Sequence, residues 1–148
     1  MLGSHGYSHL PWRCAGRAVL HDEVRRTEEA FVRHLGLRPV LFRPPWLLRT
    51  PGLFDLAREQ SLQLVSGEFA HLLEVLQPSP GRIARRALAS ARPGSLLIFH
   101  DGCDARGGDR ASTVGAVNLV VTELAARGYR FTTVDRLLGV DPYRSEPV

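Results

Sequence analysis

From His21 to Leu35 the residues Val24, Thr27, Phe31 and Leu35 recur at three- and four-residue steps behind an acidic opening, a spacing that predicts an amphipathic helix. Gly36 and Pro39 should stop it. The pattern then changes to a short apolar run between breakers, Pro39-Val40-Leu41-Phe42, which reads as a buried strand delivering Arg43-Pro44-Pro45-Trp46 at its carboxyl end. The two prolines stiffen that delivery point. Thr50-Pro51 forms a cap and first helical residue for a helix through Glu59, and Leu62-Gln63-Leu64-Val65 reads as a second strand. Residues 67 to 79 show no clear period and fit either a loop or a partial helix.

Ser79-Pro80 opens a further helix through Ala91, with Ile83, Ala84, Ala87 and Leu88 facing inward. Ser95-Leu96-Leu97-Ile98-Phe99-His100 is nearly continuous in apolar character, as expected of a parallel strand covered on both faces. After a Gly-rich loop at 101 to 110, a helix is expected from about Ser112 to Arg127, closed by Gly128. Tyr129 to Thr133 reads as a last strand, Val134 to Leu138 as a helical turn, and Asp141 to Val148 as a loose tail, leaving one domain over residues 1–140. Strands alternating with helices argue for an α/β fold with a parallel sheet. Its functional loops should lie beyond the carboxyl ends of the strands, so Arg43-Pro44-Pro45-Trp46 and His100-Asp101-Gly102 are expected on one rim.

Composition narrows the picture. The chain has 148 residues, room for one domain or part of one, and too few for a complete eight-fold β/α barrel of about 250. With 44% hydrophobic and 23% charged residues, wholesale disorder is excluded. All 19 basic residues are arginine. They are spread along the chain, several at helical spacing from Asp or Glu, so no basic stripe forms and nucleic acid is not the expected partner. Cys14 and Cys103 are too few for a disulfide framework and fit no paired zinc spacing. No run of 18 apolar residues occurs, so no transmembrane segment is expected.

The candidate chemistry is imidazole-based. His5 and His9, four apart, would share one side of a helical turn and could bind one metal ion, although two imidazoles leave a divalent site short of a carboxylate. His100 closes the late strand, where an imidazole can serve as a general acid. Arg43 is either a surface cation or a fixed one orienting a carboxylate. Trp46 is either a sugar-facing wall or a cover for its loop.

Taken in order, His5-Gly6-Tyr7-Ser8-His9, Phe42-Arg43-Pro44-Pro45-Trp46, Arg92-Pro93-Gly94-Ser95-Leu96-Leu97-Ile98-Phe99-His100-Asp101-Gly102 and Gly128-Tyr129-Arg130-Phe131 resemble the polysaccharide deacetylase family, the NodB-homology domain of carbohydrate esterase family four. The match runs from His5 to about Leu138. The resemblance implies an incomplete, distorted β/α barrel that hydrolyses the acetamide of an N-acetylated oligosaccharide or polysaccharide. It implies a divalent metal, zinc first with cobalt or manganese as alternatives, on His5 and His9. It further implies Arg43 as the residue orienting the base, Trp46 and Pro45 against the substrate, and His100 as general acid.

Two departures stand out. The family's opening T-F-D-D-G type motif, which supplies the general base and the third metal ligand, has no counterpart, since no aspartate precedes Asp22. Met1 is therefore expected to be internal to a longer product whose first strand, and any export signal, lie upstream. The D-x-x-W type motif is also unrecognisable, with Glu74 and His71 as the polar substitutes in its region. Such a chain should be feeble or inactive on its own. The alternative is a non-catalytic relative that binds the glycan.

Overall fold

The computed structural model describes residues 1–10, 16–69, 74–102 and 108–145. Cys14, Cys103 and His71 lie outside the described residues. The chain forms two compact units, Met1–Ser66 with Thr133–Val148, and Gly67–Thr132.

In the first unit, helix α1 (Arg17–Leu35) starts four residues ahead of the expected His21, so its acidic residues fall outside the first turn. It ends where expected, at Gly36, whose φ of 64° lets its N–H reach the Val32 carbonyl. Strand β1 (Leu41–Phe42) pairs in parallel with β2 (Gln63–Leu64), and Phe42 also bridges Ser4 in parallel. Between them lies α2 (Pro51–Glu59), with Pro51 in its first turn and the Thr50 hydroxyl accepting from the Leu53 N–H. Leu20 and Val24 of α1, Phe42, and Leu53 and Leu56 of α2 bury together. Phe42 has no exposed surface, and burying a side chain of that size contributes about 1.5–3 kcal/mol.

The tail expected to be loose is tied down as far as Arg144. Helix α5 (Val134–Leu138) is followed by an antiparallel bridge of Tyr143 to Pro39, with Val40 N–H donating to the Pro142 carbonyl and Arg144 N–H to that of Arg38. The Val40 N–H and the Arg38 carbonyl supply a short ladder that composition does not reveal.

In the second unit, β3 (Glu68–Phe69) pairs in parallel with β4 (Leu97–Ile98). A Cβ on Gly67 would stand 2.6 Å from the Leu96 carbonyl oxygen, so only glycine lets the chain enter β3 at that separation. The ambiguous stretch 67 to 79 resolves into β3 and a 3₁₀ turn at Glu74–Leu76. Helices α3 (Pro80–Ser90) and α4 (Ala111–Ala126) build the core through Ile83, Ala84 and Ala87 against Ala116, Val120 and Leu124. Their small residues let the two backbones approach closely. The strand expected at 129 to 133 is not one: Tyr129 packs on this core, but Phe131 is 55% exposed and the described residues offer that segment no ladder. β propensity is present there without a neighbour to pair with.

Candidate active site

Each candidate motif follows the carboxyl end of a parallel strand. In the first unit, Ser4 N–H donates to the Leu41 carbonyl and Arg43 N–H to that of Ser4, so His5 and Arg43 leave neighbouring strands side by side. His5 Nδ1 lies 2.5 Å from the Arg43 carbonyl oxygen. A carbonyl only accepts, so Nδ1 carries a proton in this contact.

Residues 5 to 9 do not form the helical turn expected from their spacing. Gly6 has a φ of 85° and His9 a φ of 55°, and a loop brings the two rings together instead, with centroids 5.1 Å apart. The positive φ at position 6 is one that glycine adopts without strain. The loop is held from below by Glu23, a carboxylate on the buried face of α1 with 2% of its surface exposed. Its Oε2 accepts the N–H groups of Tyr7 at 3.0 Å and Ser8 at 2.8 Å, and its Oε1 accepts the Ser8 hydroxyl at 2.6 Å. The Arg26 guanidinium sits over the Tyr7 ring, 4.0 Å from its centroid.

Arg43 is half-buried, and burial pushes its guanidinium below the usual arginine value; among the described residues no side chain pairs with it. Pro45 is fully buried, which removes it from the substrate-facing set. Trp46, in a 3₁₀ turn with a φ of 59°, is 59% exposed, and its ring lies 5.5 Å from that of His9.

In the second unit, His100 follows β4 and is gripped by Glu74, whose side chain is 3% exposed. Glu74 Oε1 accepts the His100 N–H at 3.0 Å and the Thr113 hydroxyl at 2.8 Å, while Oε2 faces His100 Nδ1 at 3.0 Å. Gln77 donates to Thr113 Oγ1 and to the Glu74 carbonyl, closing the network. Glu74, one of the two polar substitutes weighed for this region, meets His100; the other, His71, lies outside the described residues.

Sequence reasoning missed Glu23 and Thr113. Their signal was positional: Glu23 shares the buried stripe of Leu20, Val24 and Thr27, and Thr113 that of Ala116, Val120 and Leu124. A polar group on an inward face needs partners, and these two find theirs in the histidine-bearing segments. The described residues contain no cluster of three or more His, Cys, Asp or Glu able to hold a metal.

No family model matches the chain. It is 29% identical over 138 residues to a peptidoglycan-N-acetylglucosamine deacetylase of Bacillus cereus, covering 93% of this chain and 62% of that protein. It is 33% identical over 144 residues to a chitooligosaccharide deacetylase of Azorhizobium caulinodans, covering 86% and 64%. The chain thus spans less than two thirds of these relatives' length. Among solved structures, a peptidoglycan N-acetylglucosamine deacetylase superposes with a TM-score of 0.85 at 24% identity, covering 95% of this chain and 64% of that one. A family-four pseudoenzyme from Bacillus anthracis superposes with a TM-score of 0.80 at 18% identity, covering 92% and 45%. The fold is that of carbohydrate deacetylase domains. These relatives are carbohydrate deacetylases, and it is to them that the chain is similar in sequence.

Proposed function

We propose that this chain is the histidine-bearing part of a metal-dependent carbohydrate N-deacetylase, contained in residues 1–140 and acting on an N-acetylated glycan. The observation that carries the reading is the His5–His9 loop: two imidazoles with centroids 5.1 Å apart, one fixed through Nδ1 to the Arg43 carbonyl. That donor set suits zinc, cobalt or manganese, with a carboxylate completing the ligand set. When bound, such an ion supplies Lewis acidity toward an amide carbonyl and toward water.

The remaining work falls to side chains of this chain. Arg43, a desolvated cation with no carboxylate partner among the described residues, orients the carboxylate base. That base takes a proton from water as the water oxygen adds to the acetyl carbon. His100, with Nδ1 held by Glu74, gives its Nε2 proton to the leaving nitrogen as the C–N bond breaks. Acetate and a free amine result. Trp46 offers an exposed apolar face to a sugar ring. No helix among the described residues is long and apolar enough to cross a membrane.

The second reading, a glycan-binding relative without chemistry, is supported by the likeness to a pseudoenzyme fold. Acetate release from N-acetylglucosamine oligomers and from peptidoglycan separates the two, measured with zinc, cobalt or manganese on this chain and on the product of the whole reading frame. The enzyme reading expects metal-dependent acetate that disappears in His5→Ala and His9→Ala. Glycan binding without acetate under any of the three metals overturns the enzyme reading.

A further inference from the structure

We infer that Glu23 is a positioning residue for the histidine pair: it fixes the loop between His5 and His9, and so sets the affinity of the pair for a divalent ion. The inference rests on the metal-site reading above. Without an anchor, residues 6 to 8 would sample many conformations, because Gly6 has the widest backbone freedom of any residue and Tyr7 and Ser8 are exposed. The two ligands would then have to be ordered by the ion itself, at a cost of about 1–2 kcal/mol per backbone residue fixed.

Glu23 removes that cost in advance. Three of its contacts converge on two consecutive residues at the centre of the loop: both amides on Oε2, and the Ser8 hydroxyl on Oε1. The anchor is itself rigid. Glu23 is buried on α1 one turn from Leu20 and beside Val24, and the Thr27 hydroxyl donates to its carbonyl at 2.7 Å. A loop fixed in this way, together with the Arg43 carbonyl at His5 Nδ1, holds both rings close together before any ion arrives. Removing supporting partners of metal-binding histidines commonly costs about 10- to 100-fold in affinity.

The contact pattern separates shape from charge. In Glu23→Gln the amide oxygen can occupy the Oε2 position and still accept both N–H groups, while its NH₂ donates to the Ser8 oxygen. Glu23→Ala removes all three bonds. Zinc affinity, measured by competition with a chromophoric chelator, should fall about 10-fold or more in Glu23→Ala and stay within about 3-fold of wild type in Glu23→Gln. The visible absorption of bound cobalt should broaden in the Ala variant alone.

Wild-type zinc affinity in a folded Glu23→Ala overturns the inference, as does a Glu23→Gln variant that loses as much as Ala. If Glu23→Ala does not fold, Ser8→Ala, which removes the single Oε1 contact, should still weaken zinc by about 2- to 3-fold, and no change there overturns the inference. His5→Ala and His9→Ala serve as the control for the underlying reading. If they bind zinc like wild type, the metal-site assignment itself fails; if they lose it and Glu23→Ala does not, the Glu23 assignment alone fails.

Discussion

The two histidine-bearing regions solve the same problem in opposite ways. In both, a buried carboxylate from a neighbouring element controls the histidine segment. Glu23 grips the backbone of the loop and leaves the imidazoles to other partners, whereas Glu74 grips the imidazole of His100 directly at Nδ1 and its backbone at N–H. At Nδ1, His5 meets a backbone carbonyl and His100 a carboxylate.

Stability measurements can break this comparison. Glu74→Ala strands the Thr113 hydroxyl, itself buried, and the His100 N–H, and should cost about 3–5 kcal/mol in urea unfolding, as removal of one partner of a buried charged network does. Glu23→Ala strands amides of exposed residues that water can reach, and should cost about 1–2 kcal/mol. Equal losses would mean that the two carboxylates are alike. Thr113→Val keeps the shape and deletes the hydroxyl that donates to Glu74 and accepts from Gln77; a loss of about 1–3 kcal/mol in the same experiment would sharpen the account of the second region. The smallest effect is expected in the first region from Gly6→Ala, at about 1 kcal/mol, because a φ of 85° is strained for any residue with a Cβ. A stabilised Gly6→Ala would show that the loop geometry is not the one described.

The sequence made the helices legible because their ends carry local chemistry: Thr50-Pro51 starts α2, Ser79-Pro80 starts α3, and Gly36 ends α1. The strands were legible only in position. Ser95 to His100 reads as six strand residues, and among the described residues Leu97 and Ile98 are the two that pair, with Glu68 and Phe69. Tyr129 to Thr133 has strand composition and no partner at all among the described residues.

At the candidate site, motif order exposed His5, His9, Arg43 and His100 because each residue type is unusual at its place. The carboxylates beneath them were not exposed. A glutamate in a helix full of surface ion pairs, such as Arg25 with Asp22 and Glu29, looks like another surface acid until the inward stripe of α1 is traced. The loop conformation of 5 to 9 was equally hidden, since spacing alone cannot separate a helical turn from a glycine bend.

The short antiparallel pairing of Tyr143 with Pro39 also bears on how the protein behaves in a crowded solution. It occupies the Val40 N–H and the Arg38 carbonyl, two groups just ahead of β1 that would otherwise stand open at a strand edge. Open edges recruit strands from other molecules and seed aggregation. The last described residues of the chain thus act as a guard against self-association, and a shortened form ending before Pro142 would trade that protection for a sticky edge.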